Sequence, residues 1–199
     1  DQQTKKEFKG YADAKGAGFQ VSEEEEARIQ AMVAGDPELE KAYVLIQEVE
    51  FFSVASASDR SRMINESQTG NIEDSPAFAA MVTANSKINK LAQDDAYTLG
   101  VDQGLIEKIA FDPSDPNTLE QRILQADGLS EHYGVEASPL TDPELLTLTN
   151  AISEMTPDEK VVLAETLAIA PELWGDIAKK GGGTFAMAGA TGDREVMST

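Results

Sequence analysis

PLTDPELLTLTNAISEMTPDEKVVL, residues 139–163, contains two helix starts of the same kind in close succession. In each of them a threonine precedes a glutamate by three positions: Thr141 precedes Glu144, and Thr156 precedes Glu159. This pairing is a capping box, in which two side chains satisfy backbone N–H groups that the first helical turn leaves unpaired. Apolar residues then recur at helical spacing, so the stretch predicts two short amphipathic helices. Their expected buried residues are Leu145, Leu148, Ile152, Met155, Val162, Leu163, Leu167 and Ala170.

Similar helix starts occur along the rest of the chain, whereas the alternating apolar pattern of a strand is missing. Short helices are marginal alone in water, so these must pack on each other. The sequence therefore predicts an all-α fold, an irregular multi-helix bundle or a short solenoid-like stack, with the bundle preferred. The further starts are Ser22 with Glu25, Asp36-Pro37, Ser75-Pro76 and Asn117 with Glu120, and the expected helix ends include Gly35 and Tyr133-Gly134.

Composition divides the chain into three predicted parts. Residues 1–21 carry many charges and two late glycines, which is typical of a flexible N-terminal arm. Residues 22–71 are predicted to form an N-terminal helical subdomain. Its last stretch, 53–71, is rich in Ser, Ala, Asn and Gly, which indicates a hinge with one or two helical turns. Residues 72–199 form a C-terminal helical domain. Because the chain starts at Asp1 without a methionine, we expect a fragment of a longer polypeptide.

The end of the chain predicts smaller elements. Pro171 starts a short amphipathic turn in which Trp174 is expected to fill core space, and Gly181-Gly182-Gly183 ends it. Two small helices are expected afterwards, over residues 185–190 and from Asp193 onward.

Charge and composition exclude several functional classes. The 199 residues include 36 acidic and 16 basic side chains, and the formal net charge is −20. Such a charge repels phosphate backbones, so direct binding of nucleic acid is disfavoured. The absence of cysteine excludes a disulfide framework and thiolate chemistry. No apolar run in the sequence reaches the roughly 18 to 20 residues of a membrane-spanning helix.

One stretch invites a catalytic interpretation. Residues 65–71, NESQTGN, resemble the Glu-Ser start of a lytic transglycosylase site, in which Glu66 would be the general acid. Nothing downstream matches that family's Gly-Leu-Met-Gln stretch, and aromatic residues that would shape a sugar cleft are missing nearby. The preferred interpretation is a polar helix end, and no catalytic residue is predicted.

The other polar motifs also have structural interpretations, so no cofactor or metal site is predicted. His132 is the only histidine, and a helix C-terminus suits a partly charged imidazole. Asp112, Ser114 and Asp115 offer oxygen ligands, but the spacing fails the calcium-loop pattern, which favours turn and cap roles. The acidic run 23–26 lies in the first turn of a helix, where negative charge meets the positive end of the helix dipole.

From Phe111 onward the chain resembles a helical region of very large bacteriophage virion proteins. The resemblance implies an internal, ejection or tail-associated protein located in the virion, with delivery into the host envelope or cytoplasm as a further expectation. It also implies other virion proteins or self-association as partners, and some such proteins carry a lytic transglycosylase domain elsewhere. A host-directed adaptor is another alternative, with an exposed apolar patch near Phe51 and Phe52 or Trp174. The motifs that carry the resemblance are Phe111-Asp112-Pro113, Asp115-Pro116, Leu119-Glu120-Gln121-Arg122, His132-Tyr133-Gly134-Val135, Pro139-Leu140-Thr141 and Pro171-Glu172-Leu173-Trp174.

Overall fold

Helices form the whole of the regular structure, and no strand occurs among the described residues. The structure is a computed structural model that describes residues 2–70, 75–171, 173 and 175–177. The prediction of an all-α fold is confirmed. Within the described residues, eight helices have defined bounds: α1 Gln2–Gly16, α2 Glu23–Val33, α3 Pro37–Ser53, α4 Ala57–Thr69, α5 Pro76–Asp102, α6 Pro116–Tyr133, α7 Asp142–Glu154 and α8 Pro157–Leu167.

The chain folds into two compact units. The first unit consists of Asp1–Glu107 and Leu129–Glu136, and the second consists of Lys108–Gly128 and Ala137–Thr199. This division differs from the predicted boundary near residue 71. Helix α5 follows that residue but contacts both α3 and α4 within the first unit. None of the described helices combines the length and the apolar character needed to cross a bilayer.

The first residues form a helix, where the sequence predicted a flexible arm. Phe8 and Tyr11 of α1 are buried with Ile29 and Val33 of α2 in one apolar cluster. Spaced three residues apart, Phe8 and Tyr11 share one helical face, so their burial stabilises a segment that is otherwise polar. Because charged side chains occupy the opposite face, the average composition of this segment is polar and does not reveal its apolar face.

A glycine turns the chain after α1. Gly18 adopts a φ of +75°, which L-residues with side chains rarely occupy. A Cβ at this position would also lie 2.9 Å from the backbone oxygen of Ser53, at the end of α3. The glycine that indicated disorder in the sequence therefore permits close packing between the end of α1 and the end of α3.

The predicted helix starts of α2, α3, α5, α7 and α8 are confirmed. The predicted start of α6 is wrong, because this helix begins at Pro116 and Asp115 accepts from the backbone N–H of Asn117, the residue predicted to be the cap. The Ser22 hydroxyl accepts a hydrogen bond from the Glu25 backbone N–H at 3.2 Å, and Ser75 accepts one from Phe78 at 3.1 Å. In α8 both halves of the predicted capping box are present: the Glu159 carboxylate accepts from the Thr156 backbone N–H at 2.7 Å, and the Thr156 hydroxyl accepts from the Glu159 backbone N–H at 3.4 Å. These bonds are local, which explains why sequence alone could locate them.

The predicted hinge at residues 53–71 contains a complete helix, α4. Ser56 caps this helix by accepting from the Asp59 backbone N–H at 3.2 Å. The helix has little apolar surface, but its Arg60 side chain is fully buried. A contact made by one polar residue therefore fixes a segment whose composition is typical of a loop.

Helix α5 contains a kink at Asp95, whose φ of −161° and ψ of 89° are not helical. The Asp95 carboxylate accepts hydrogen bonds from the Thr98 backbone N–H at 2.9 Å and from the Thr98 hydroxyl at 2.7 Å. Asp95 therefore acts as an N-cap inside the long helix and restarts it after the kink.

The second unit has one continuous apolar core, built from α6, α7, α8 and the helical residues after Pro171. It contains six of the eight residues predicted to be buried after the two capping boxes, which confirms the helical periodicity of that stretch. Met155 is only partly buried, and the predicted burial of Val162 is wrong, since its side chain is 46% exposed. Trp174, Gly181-Gly182-Gly183 and the two predicted C-terminal helices lie outside the described residues. The buried members are Leu119, Ile123, Leu140, Leu145, Leu148, Ile152, Leu163, Leu167, Ala170, Leu173 and Ile177.

Candidate functional site

Glu66, the candidate general acid, lies on the exposed surface of α4. Its side chain is 63% exposed, and its Oε1 lies 3.3 Å from an Arg62 guanidinium nitrogen. A general acid faces the bond that it protonates from inside a substrate cleft, whereas the Glu66 side chain is open to solvent. Arg62 also pairs with Asp59 at 3.0 Å. The structure therefore places Glu66 in a surface ion-pair chain along one helix.

Asp112, Ser114 and Asp115 lie in the loop before α6 and act on neighbouring backbone groups. Asp112 Oδ1 accepts from the Ser114 backbone N–H at 2.8 Å and from the Ser114 hydroxyl at 2.6 Å, and these bonds hold the Asp112 pKa below its usual value. Asp115 Oδ1 accepts from the Asn117 backbone N–H at 3.0 Å. No group of three or more potential metal-ligating side chains converges within the described part of the chain.

His132 lies in the last turn of α6, as predicted. Its ring meets Tyr133 edge-on, with ring centres 4.9 Å apart. Burial lowers the pKa of His132, and the nearby Arg60 charge lowers it further, while Asp59 acts in the opposite direction. Its Nε2 is buried and has no hydrogen-bond partner among the described residues. The expected partly charged imidazole is therefore disfavoured, because protonation would add a cation beside a buried one.

Arg60 is a buried cation that the sequence interpretation missed. Its Nε donates to Asn85 Oδ1 at 3.0 Å, and one terminal nitrogen donates to Asn89 Oδ1 at 2.9 Å. The other terminal nitrogen donates to the Ala55 carbonyl at 2.6 Å. All three acceptors are neutral, and burial lowers the Arg60 pKa. A sequence signal did exist: two asparagines four residues apart lie along the apolar face of α5.

A second polar cluster joins the first three helices through Glu26. Its Oε1 accepts hydrogen bonds from the Tyr11 hydroxyl at 2.6 Å, the Tyr43 hydroxyl at 2.7 Å and the Gln47 amide at 2.9 Å. Burial alone would raise the Glu26 pKa, but the hydrogen bonds from Tyr11, Tyr43 and Gln47, together with the charge of Lys15, bring it below its usual value. Burial, followed by the bond to Glu26, raises the pKa of Tyr11. The acidic run 23–26 was predicted only to interact with the helix dipole, but its last residue, Glu26, also connects α2 to α1 and α3.

Arg122 and Glu144 form a comparable link in the second unit. Arg122 is 1% exposed, and one of its terminal nitrogens lies 2.6 Å from Glu144 Oε1. The other carboxylate oxygen accepts from the Thr141 backbone N–H at 2.9 Å. Burial would raise the Glu144 pKa, but the Arg122 and Thr141 hydrogen bonds hold it below its usual value. The glutamate predicted as a helix cap thus also ties α7 to α6.

A cavity of about 370 Å³ lies beside α1, α3 and α5 in the first unit. Two of its lining residues are lysines, which could hold an anion if they were free. Lys15 pairs with Glu50 and lies 3.8 Å from Glu26, while Lys87 donates to the Asp13 backbone oxygen at 2.5 Å. Both ammonium groups therefore already serve internal contacts.

A groove of about 230 Å³ opens in the second unit beside the loop that precedes α6. Sequence reasoning missed it, because the groove joins that loop to α7 and α8 across a long stretch of chain. Four carboxylates line it together with an apolar wall, and no Lys or Arg lines it among the described residues. The carboxylates belong to Asp112, Asp115, Asp158 and Glu159, and the apolar side chains include Phe111, Leu119, Leu148, Met155, Val162 and Leu163.

Comparison with protein families, with curated proteins and with solved structures finds no match to this chain.

Proposed function

We propose that this chain is a non-catalytic helical structural or assembly segment of a bacteriophage virion protein, of the internal, ejection or tail-associated kind. The main support is the role of its buried polar side chains, which join helices to each other. Arg60 ties α4 to α5, Glu26 ties α2 to α1 and α3, and Arg122 ties α6 to α7. Such use of charged groups suits a scaffold, whereas catalysis requires a reactive group facing a substrate cleft.

The virion setting is supported by the resemblance of the helix-start motifs from Phe111 onward. A net charge of −20 also suits a protein held close to packaged DNA, because it limits adhesion to the phosphate backbone. In this proposal its partners are other virion proteins or further copies of the chain.

The virion proposal is tested by mass spectrometry of gradient-purified particles from the phage that encodes the sequence. We expect peptides of this chain at a fixed ratio to the capsid protein. Expression of the chain in infected cells without incorporation into particles would overturn the proposal, as would a gene located outside any phage genome.

The non-catalytic part is tested with dye-labelled peptidoglycan, using the chain and its Glu66→Gln variant. We expect no release of dye by either protein. The control variant is Glu131→Gln, which removes the charge of another exposed glutamate. Dye release by the parent chain and by Glu131→Gln, but not by Glu66→Gln, would favour the alternative of a diverged lytic transglycosylase.

A host-directed adaptor is the second candidate, and one observation on α3 favours it. Phe51 is 60% exposed, and Val44, two helical turns earlier on the same face, is 54% exposed, whereas Phe52 is fully buried. If the chain is an adaptor that uses this face, a pull-down from host lysate with the parent chain should retain a host protein. The Phe51→Ser variant should no longer retain that protein. The same protein should remain bound to Val82→Ser, since Val82 is an exposed residue of α5.

A further inference from the structure

We propose that the groove of the second unit docks a segment of a partner protein that carries one large apolar side chain flanked by lysine or arginine. This inference does not depend on the virion setting. It is based on the size of the groove, its apolar wall and the charge of its rim.

The groove has room for one large apolar side chain. An apolar cavity of about 150 Å³ holds a benzene-sized molecule, and the volume here is about 230 Å³. A phenylalanine or leucine side chain from a partner would therefore fit. A single buried anchor of this kind commonly contributes a large share of the affinity of an interface.

The wall of the groove is fixed by the fold. Leu119, Leu148 and Leu163 belong to the buried core of the second unit and form its base. Val162 lies on the same groove and is 46% exposed, so apolar surface is open to solvent here. An occupant would remove that surface from water.

The rim of the groove selects a basic partner. Hydrogen bonds hold the pKa values of Asp112 and Glu159 below their usual values, so both carboxylates are ionised near neutral pH. The internal bonds of Asp112 and Asp115 use Oδ1, which leaves Oδ2 of each without a described hydrogen-bond partner. These oxygens can accept from a lysine or a guanidinium group.

Charge also argues against two other occupants. A second copy of this chain would bring its own net charge of −20 to an acidic rim, and an anionic lipid surface would be repelled in the same way. A basic protein segment would be attracted to the same carboxylates that repel these two occupants. Such electrostatic complementarity speeds association and excludes wrong partners.

The direct test measures binding of a fluorescein-labelled peptide that has one central phenylalanine between lysines. Two matched peptides replace the phenylalanine by alanine or the lysines by glutamates. We expect the first peptide to bind in a saturable manner, the alanine peptide to lose about tenfold or more in affinity, and the glutamate peptide not to bind. Equal binding of the phenylalanine and alanine peptides would reduce the effect to general charge attraction and overturn the proposal.

A pair of neighbouring variants locates the site on the protein. Val161 and Val162 lie side by side on α8 with similar exposure, 49% and 46%, but only Val162 lines the groove. Val162→Glu should weaken binding by about tenfold, and Val161→Glu, with the same charge change, should keep it within about twofold. Circular dichroism would verify that both variants fold. Equal effects of the two substitutions would overturn the proposal.

The rim is tested with Asp158→Asn and the control Asp127→Asn, which alters an exposed aspartate of α6 away from the groove. Asp158→Asn should lower the affinity several-fold and reduce its salt dependence, because one cation contact is lost. Two results would overturn the proposal in favour of another occupant. One is self-association of the chain that the Val162→Glu variant loses, and the other is preferential binding to phosphatidylserine vesicles.

Discussion

Arg60 is the residue on which the packing of α4 depends most. Its guanidinium group is buried, and three neutral oxygens accept its hydrogen bonds. A buried cation is unfavourable unless hydrogen bonds compensate for the lost water. The two asparagines of α5 that supply this compensation are therefore part of the same structural unit as Arg60.

We expect Arg60→Met to lower the free energy of unfolding by about 2–4 kcal/mol, because Asn85 and Asn89 lose their donor inside the protein. Urea unfolding of the variant and the parent chain would measure this change. The control is Arg62→Met, an exposed ion-pair residue of the same helix, which should leave stability almost unchanged. Combining Arg60→Met with leucine at both asparagine positions should recover part of the loss. Equal stabilities of Arg60→Met and Arg62→Met would contradict this account.

The surroundings of His132 predict a stability that depends on pH near neutrality. Burial and the Arg60 charge hold its folded-state pKa below the ordinary 6.5, with Asp59 opposing them. Since the unfolded chain then binds the proton more readily, stability is lost as the pH falls through about 6.5. We expect the free energy of unfolding to decrease between pH 8 and pH 5.5, and His132→Gln to reduce that decrease. A pH dependence unchanged in the variant would rule out His132 as the cause.

At the scale of single elements, α1 shows how a polar helix is retained. Its apolar face contributes Phe8 and Tyr11, and Tyr11 also donates to Glu26. Helix α3 reaches the same carboxylate through Tyr43, so one glutamate connects three helices. Tyr11 and Tyr43 also stack, with ring centres 6.0 Å apart.

We expect Glu26→Gln to loosen α1, since a neutral amide accepts weaker hydrogen bonds from two tyrosines than a carboxylate does. Hydrogen exchange followed by mass spectrometry should show faster exchange in α1, whereas α7 should not change. The matched control is Glu24→Gln, which makes the same charge change at an exposed position of α2. Faster exchange in both variants would assign the effect to net charge and not to the hydrogen bonds.

At the scale of the whole molecule, excess negative charge opposes compaction. The 36 acidic side chains outnumber the 16 basic ones and give the chain its formal net charge of −20. Repulsion among like charges favours expanded states, and salt screens it. Local ion pairs such as that of Arg62 and Glu66 are weakened by salt, but exposed pairs contribute little.

We therefore expect the Tm to rise by about 2–4 °C between low salt and moderate NaCl, as screening restores about 1 kcal/mol. Differential scanning calorimetry would measure the change. Tetramethylammonium chloride at equal ionic strength separates screening from specific sodium binding. A Tm that falls with either salt would show that ion pairs outweigh the general repulsion.

Local signals in the sequence were sufficient for most of the helices. Ser22, Ser75 and Thr156 act on atoms within four residues, so their chemistry is visible in a short window. The sequence misjudged α1 and α4, because both are stabilised by contacts with residues far along the chain. The composition of residues 2–16 and 57–69 is polar, and these helices are held in place by a few buried side chains, Phe8 and Tyr11 in α1 and Arg60 in α4.

The candidate site was less predictable than the fold. The sequence singled out Asp112 and Asp115 correctly as turn residues, but it could not place them beside Asp158 and Val162. Glu66 attracted attention through its neighbours in sequence, yet it lies exposed beside Arg62. Chemistry at a site depends on burial and on distances between remote residues, neither of which a linear pattern contains.

The sequence by itself determined the helical class, most of the helix starts and the acidic surface, because each follows from local spacing or from a sum of charges. Only the tertiary structure decided which polar side chains are buried, where the two units divide and where an apolar groove meets four carboxylates. The physical reason is that burial is a property of many residues packed together. A side chain such as Arg60 acquires its role when distant helices remove it from water.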